Sequence, residues 1–294
     1  MDKIAARLVN ILLGNDENEA VLEMHFPATE ILFEKDIGFA LSGADFGAQL
    51  NDENLESWKY YFAEKGSVLK FTKRIFGNRA YFSVRGGFEI EMWLGSGSTN
   101  LLAEAGGFSG RKLQKGDRLA FNRKKFDKKQ KNNYKLSNSL IPFYSNFPTV
   151  RVVAGAEFEL LTAESEQTLL RRSFTVTRDS NRMGFRLEGA PLELSRRQEL
   201  VSSTVNFGTI QLLPDGQMII LMADHQTSGG YPRIAGVCEF DLPIVAQLGA
   251  NDKINFHLIS LEEAENLILQ REFELNYLKF GVETTLDLSL EHEL

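Results

Sequence analysis

The sequence predicts a mainly β fold with a few helices, arranged as two strand-rich domains. Short runs of β-branched and aromatic residues, such as 31–41 and 79–90, are separated by Gly, Asp and Asn turns, without helical periodicity between them. The 22 phenylalanines in a chain of 294 residues are enough to fill two β-rich cores. Strands at this spacing favour a barrel or a sandwich over a doubly wound parallel sheet.

Residues 1–121 form the predicted first domain. The domain opens with a helix that Asp2 can cap, with apolar residues at helical spacing and Gly14 as its stop. From there to residue 121 the pattern is typical of short strands broken by turns, which indicates a barrel-like domain.

Residues 122–149 interrupt this pattern and are the predicted linker, with prolines at 142 and 148 near its end. A basic run overlaps the linker, because residues 111–135 hold 11 Lys and Arg against two Asp in a chain whose net charge is -7. Such a run can bind phosphate groups, but a solvated connection is its commoner use. We therefore expect no nucleic-acid partner.

Residues 150–294 form the predicted second domain, in which a short helix starts near Thr162 or Ser165 and an Asp-Gly turn at 215–216 joins two strands. Strands are expected at 174–177, 185–187, 209–213, 217–223 and 233–240. Ser260 and Glu263 match a capping box at the start of a closing helix. The apolar residues of this helix are expected to pack on the second barrel: Leu261, Ala264, Leu267, Ile268 and Phe273.

Common catalytic devices are missing from the sequence. It holds no Walker-type phosphate loop, no nucleophile elbow, and no histidine or cysteine spacing typical of zinc sites. The single cysteine, Cys238, excludes an internal disulfide and lies in an apolar run that indicates a core position. No apolar stretch reaches the length of a membrane span or a signal peptide, so we expect a cytoplasmic protein with no membrane partner.

Three segments are richer in glycine and polar groups than ordinary turns: 85–100, 180–189 and 223–237. In the first, glycine amides and the hydroxyls of Ser96, Ser98 and Thr99 can approach an anion, although by composition alone a glycine-rich barrel corner is the better interpretation. In the second, Arg182 can bind a phosphate or carboxylate through two bonds, or it can be a solvated turn residue. The third holds His225 beside other polar loop residues.

Together these segments resemble one protein family. "GSGSTNLLAEAGGFSGRKLQKGDRL", "SNRMGFRLEG" and "ADHQTSGGYPRIAGV" occur in the order and spacing of the C subunit of bacterial ATP-dependent 5-oxoprolinase, of the antikinase regulator KipA and of the carboxyltransferase region of urea carboxylase. The resemblance implies two cyclophilin-like β-barrel domains. Ala223 and Ser228 depart from the family pattern, and a leader strand that precedes the first helix in relatives is expected to be missing from the first barrel.

The resemblance also implies an activity. Such a subunit, inactive alone, would act with a KipI-like B subunit to activate the lactam of 5-oxoproline by phosphorylation, and a LamB/YcsF-like A subunit would complete hydrolysis to glutamate. ATP and Mg²⁺ would be needed by the assembled complex, and no metal site is expected within this chain. Two alternatives stay open: a KipA-like regulator without activity, and a biotin-dependent carboxyltransferase. The chain has no Met-Lys-Met biotin-attachment sequence, so biotin would arrive on another protein.

Within this resemblance, residue chemistry suggests roles for the polar turns. Arg182 and Arg233 would bind anionic groups, and Asp224 would accept a proton or position magnesium. The side chains expected to orient the substrate are Asn181, Gln226 and Thr227. Residues expected to contact the nucleotide or to allow its close approach are Ser96, Ser98, Thr99, Gly184, Gly229, Gly230 and Tyr231.

Overall fold

The computed structural model describes residues 1–122, 134–196 and 200–291, with side chains up to residue 285. The chain divides into two compact units. The first, called the barrel unit below, comprises Met1–Asp2 and Pro142–Phe273, and the second, called the sheet unit, comprises Lys3–Ile141 and Glu274–Leu294. Residues 123–133 of the predicted linker lie outside the described residues, and the predicted boundaries at 121 and 150 stay a prediction.

The described part of the sheet unit contains eight strands in two antiparallel sheets, with strand orders β1-β8-β3-β6 and β2-β7-β4-β5. The strands are β1 Leu22–Met24, β2 Ile31–Leu32, β3 Ile37–Asp45, β4 Ala48–Leu50, β5 Glu53–Asn54, β6 Tyr60–Ala63, β7 Val68–Phe71 and β8 Phe76–Val84. Phenylalanine rings fill the core: Phe39 lies 5.1 Å from Phe33 and 5.8 Å from Phe82, centroid to centroid. Aromatic residues at strand positions therefore supply this core, as the sequence predicts.

The first helix, α1, runs Lys3–Leu12 and packs its apolar face on β3 and β8. It ends at Gly14, whose φ of 65° is in the left-handed region. The Gly14 amide donates to the Ile11 carbonyl at 2.9 Å, and the Asn15 amide donates to the Asn10 carbonyl at 3.0 Å. This pair of bonds is a Schellman motif, so the predicted helix stop is confirmed.

In the described part of the barrel unit, seven strands close into a barrel with the order β10-β11-β14-β13-β16-β9-β17. Two further short strands, β12 and β15, pair with each other outside it. The strands are β9 Thr149–Ala154, β10 Phe174–Val176, β11 Gly184–Glu188, β12 Ser203–Thr204, β13 Thr209–Leu212, β14 Met218–Leu221, β15 Ser228–Gly229, β16 Arg233–Val237 and β17 Lys253–Leu258. The mainly β class is confirmed, and so are the strands expected in this half.

Local signals in the barrel unit place its turns and helices. Gly216, with a φ of 79°, forms the turn that joins β13 to β14. Helix α2, Ala163–Arg171, begins where Thr162 accepts a hydrogen bond from the Ser165 amide. A third helix, α3, runs Leu242–Ala246, and a single 3-10 turn covers Phe158–Leu160. Another 3-10 turn, Asn138–Leu140, belongs to the sheet unit.

The last helix, α4, runs Leu261–Glu291. Its capping box is confirmed, because the Ser260 amide donates to Glu263 Oε2 at 2.8 Å and the Glu263 amide donates to Ser260 Oγ at 3.1 Å. The expected packing is wrong for two residues, since Leu261 is 65% exposed and Phe273 is 72% exposed, whereas Ala264 is buried. Phe273 lies nine positions after Ala264, which places it on the opposite face of the helix, and Leu261 is the first residue of the helix. In the part of the chain that the structure describes, no helix is long and apolar enough to cross a membrane.

Candidate functional site

The turn before β11 and the loop after β14 leave the barrel at the same end. This follows from the pairing of the two strands, in which Gly184 lies opposite Leu221. Backbone bonds join the two connections: the Asp224 amide donates to the Arg182 carbonyl at 2.8 Å, and the Met222 amide donates to the Met183 carbonyl at 3.0 Å. Two of the three polar segments, 180–189 and 223–237, are thus brought together in the barrel unit.

A forked ion pair links these two segments. Arg182 Nε donates to Asp224 Oδ2 at 2.7 Å, and its Nη2 donates to Oδ1 at 3.0 Å. Both side chains stay open to solvent, with 35% of Arg182 and 39% of Asp224 exposed. Next to them, Asn181 accepts a hydrogen bond from the Met183 amide at 2.8 Å, which fixes the turn. Arg182 and Asp224 therefore hold each other in place at the surface.

Arg233, at the start of β16, makes a second forked pair. Its Nε and Nη2 donate to the two carboxylate oxygens of Glu157 at 3.0 and 2.8 Å, and its backbone amide donates to the same carboxylate at 2.8 Å. The bonded guanidinium holds the pKa of the Glu157 carboxyl below its usual range, while the pKa of Arg233 is raised. Sequence reasoning missed Glu157, because its partner lies 76 positions away and no local pattern marks it.

The loop that carries Gln226 and Thr227 is held by a small sheet. Ser228 and Gly229 form β15, which pairs with β12 in an antiparallel register. The Val205 amide donates to the Thr227 carbonyl at 3.2 Å, so the backbone of the loop is anchored while the Gln226, Thr227 and Tyr231 side chains are exposed.

Beneath this loop lies Gln211, a residue that sequence reasoning also missed. Its neighbours on β13, Ile210 and Leu212, point into the barrel core, and a shift of register between Ile210 and Gln211 marks a β-bulge. Gln211 is only 1% exposed although it is polar. A polar residue in alternation with core residues usually faces solvent, so its burial under the loop could not be predicted from the strand pattern.

The third polar segment belongs to the sheet unit. The Ser98 amide donates to Ser96 Oγ at 3.1 Å, and the Phe108 amide donates to Thr99 Oγ1 at 3.3 Å. These hydroxyl oxygens therefore brace their own loop, and their predicted contact with an anion stays a prediction. In the basic run, Arg111 makes a forked ion pair with Asp117 and lowers the pKa of that carboxyl to about 2. Residues 123–133 of the run lie outside the described residues.

Cys238 lacks the surroundings of a catalytic nucleophile, and His225 makes a bond to the backbone of its own loop. Cys238 is buried, and its burial raises the pKa of the thiol, so the expected core position is confirmed. His225 Nδ1 is bonded to the carbonyl of its neighbour Gln226. Over residues 1–122, 134–196 and 200–285, no three His, Cys, Asp or Glu side chains cluster as a metal site would require.

Comparison with known proteins places this geometry in a family. A family model described as "Carboxyltransferase domain, subdomain A and B" matches residues 1–258. The chain belongs to this family. It is 35% identical to the 5-oxoprolinase C subunit of Haemophilus influenzae, over 95% of this chain and 88% of that protein, and 35% identical to the C subunit of Escherichia coli, over 90% and 83%.

Solved structures of the carboxyltransferase family share the fold. The urea carboxylase of Kluyveromyces lactis superposes with a TM-score of 0.87 at 27% identity, over 96% of this chain and 26% of that chain. The urea amidolyase of K. lactis also gives a TM-score of 0.87, with 95% of this chain and 18% of that chain covered. The resemblance to the C subunit of 5-oxoprolinase and to urea carboxylase, drawn from the polar segments, is therefore confirmed.

For this member of the carboxyltransferase family, the site favours binding and orientation over covalent chemistry. Two forked arginines, an exposed glutamine and an exposed tyrosine lie on or beside the 223–233 loop: Arg182, Arg233, Gln226 and Tyr231. Arginines suit phosphate or carboxylate groups, and carboxamides suit a neutral amide. Groups that suit an anion and groups that suit an amide therefore occur along this one loop.

Proposed function

We propose that the chain is the C subunit of an ATP-dependent 5-oxoprolinase and that it acts with a B subunit to activate the lactam, before hydrolysis is completed by an A subunit. The observation that carries the proposal is the site itself. The loop 223–233 folds onto Arg182 and Gln211, in a chain that covers 88% of a relative named as a 5-oxoprolinase C subunit. The loop thus carries groups that suit an anion and groups that suit an amide, and 5-oxoproline is a carboxylate with a cyclic amide.

A lactam is unreactive because its nitrogen donates electrons into the carbonyl. Transfer of the γ-phosphoryl group of ATP to the lactam oxygen releases ADP and withdraws that donation. A first water then adds to the carbonyl carbon and the C–N bond breaks, which gives an acyl phosphate with a free amine. A second water releases phosphate and leaves glutamate. The residues of this chain would orient the lactam and balance charge during the first transfer.

The forked pairs define what each arginine would do. Arg182 is held by Asp224, so Asp224 would position it to neutralise a phosphoryl oxygen. Arg233 is fixed by Glu157 and has a longer contact of 3.5 Å from Nη1 to the Thr204 carbonyl, which a substrate carboxylate could replace. Gln226 and Thr227, exposed on the same loop, would bind the lactam, and Gly230 would allow close approach.

Magnesium fits this chain poorly. Both carboxylates of the site are taken up by arginines, and the described residues offer no cluster of three acidic or imidazole ligands. Mg²⁺ usually reaches such sites on substrate phosphates, with one or two protein carboxylates. We therefore assign ATP and Mg²⁺ to the assembled complex and place no step of this chain on the metal.

Reconstitution tests the proposal. The chain, a KipI-like B subunit and a LamB/YcsF-like A subunit are purified separately, and glutamate formation from 5-oxoproline and ATP is followed. We expect turnover only with all three proteins. Arg182→Ala and Arg233→Ala should each abolish turnover while circular dichroism shows a folded chain, since each removes charge balance from the transition state. Full turnover by both variants would contradict the assignment.

A second function, biotin-dependent carboxyl transfer, is favoured by the TM-score of 0.87 with urea carboxylase. The same preparation is therefore assayed with carboxybiotin. Activity with carboxybiotin, and none with ATP plus 5-oxoproline, would select carboxyl transfer.

A further inference from the structure

Gln211 is a buried polar side chain that the proposed roles leave unused. It lies on the outward face of β13, yet the 226–231 loop covers it to 1% exposure. Its register partner on β16 is Arg233, so it lies beside a residue of the site. A buried carboxamide must find hydrogen-bond partners, and the partners that Gln211 finds are both in the loop.

The two bonds of Gln211 have a fixed direction. Gln211 Nε2 donates to the Tyr231 carbonyl, and Gln211 Oε1 accepts from Gln226 Nε2, both at 3.5 Å. A backbone carbonyl can only accept, so Gln211 must turn its amino group toward Tyr231. The Gln211 oxygen then faces Gln226. Because that oxygen can only accept, Gln226 must donate from its own amino group. The carbonyl oxygen of Gln226 is left pointing away from the pair.

Gly229 makes the close approach of this pair possible. A Cβ at position 229 would lie 2.6 Å from Gln211 Nε2 and 3.5 Å from Gln226 Nε2. A Cβ at Gly230 would meet only ordinary contacts, at 3.6 Å from Leu200 O and Ser202 Oγ. The first glycine of the pair therefore leaves room for the Gln211 carboxamide in its present position, and the second is not needed for it.

We infer that Gln211 is a positioning residue that orients Gln226, so that Gln226 Oε1 accepts a hydrogen bond from the N–H of the substrate amide. The inference rests on the proposed function and deepens it. It names the substrate class as amides that carry an N–H beside the carbonyl, such as a lactam. Esters, lactones and ketones of the same shape would leave the Gln226 oxygen unpaired.

The test compares 5-oxoproline with 3-oxocyclopentane-1-carboxylate, in which CH₂ replaces the ring N–H. In the reconstituted complex, the inhibition constant of the ketone is divided by the Michaelis constant of the lactam. We expect this ratio to be on the order of ten or more with the unchanged chain, because the ketone leaves one acceptor unpaired. Gln211→Leu and Gln226→Leu should each lower the ratio to about that of a site without discrimination, roughly one to three.

Two features of the design exclude a merely structural effect. Gln226 is exposed, so Gln226→Leu leaves the core intact, and the double variant should lose no more discrimination than either single one. Gln217→Leu is the matched control, since Gln217 lies in the same β13–β14 hairpin and its side chain bonds with Gly189. Its ratio should equal that of the unchanged chain. An unchanged ratio in Gln211→Leu would overturn the inference.

A second readout needs no turnover. In the chain alone, NMR signals of the Gln226 carboxamide should show slower hydrogen exchange than a free glutamine, and Gln211→Leu should remove this protection. Absence of turnover in the unchanged complex would refute the proposed function only, and the NMR result would then decide the orienting role of Gln211. Equal exchange at Gln226 with and without the substitution would refute that role whatever the activity.

Discussion

Arg182 and Arg233 bind carboxylates through the same forked geometry, but their surroundings differ. Arg182 and Asp224 are both more than one-third exposed, so water screens their attraction. Glu157 is only 12% exposed and also accepts the Arg233 backbone amide. The first pair should therefore contribute little to stability, while the second also ties the start of β16 to the chain after β9.

The Glu157 pair should make stability depend on pH. Because the pKa of Glu157 is lowered in the folded chain, its contribution is present above the ordinary carboxyl pKa of about 4.3 and is lost as the pH falls through the lowered folded value. Arg233→Ala should lower the free energy of unfolding by about 1–2 kcal/mol at pH 7, and this deficit should shrink at acidic pH. Urea unfolding of the unchanged chain and of Arg233→Ala at a series of pH values measures this difference in the free energy of unfolding. A deficit that grows toward acid would contradict the pairing.

At the scale of single elements, local signals in the sequence predict a good deal. Three local signals involve contacts within four residues of the chain, and all three appear as predicted. They are the helix cap at Thr162, the Ser260–Glu263 capping box and the Asp-Gly turn at 215–216. Contacts made across the sequence could not be predicted in this way. Arg182 meets Asp224 42 positions away, and Gln211 is buried by a loop rather than by its own strand. Part of the site therefore depends on strand pairing that periodicity does not encode.

Two glycines of the helical segments should respond to alanine in opposite ways. Gly14→Ala places a side chain at φ 65° in the Schellman motif of α1 and should cost about 1–2 kcal/mol of stability. Gly281 lies within α4, and among the described residues no atom lies within 4 Å of the place that a Cβ would take, apart from its chain neighbours and the backbone of its own helix. Gly281→Ala should therefore stabilise by about 0.5–1 kcal/mol or leave stability unchanged. Thermal unfolding of the two variants measures both changes in stability. A similar loss of stability in both variants would contradict the expected difference.

At the scale of the whole molecule, the single thiol reports on the integrity of the barrel unit. Cys238 follows β16 directly and is 3% exposed, and burial raises its pKa. Without denaturant, a thiol reagent such as DTNB should therefore react slowly, whereas in denaturant it should titrate about one thiol per chain, as the single cysteine requires. Reactivity should rise in step with the loss of β-sheet signal. Fast reaction in the native chain would show that this part of the barrel opens readily.

The closing strand of the barrel has a consequence for biosynthesis. β17, Lys253–Leu258, pairs with β9 on one side and β10 on the other, so the sheet cannot become a ring until it arrives. On the ribosome, each flanking strand has one unpaired edge until β17 is made: β9 for about a hundred residues of translation and β10 for about 75. During that interval the nascent chain exposes two unpaired strand edges that can aggregate. A chaperone would protect the nascent chain most at this stage of synthesis.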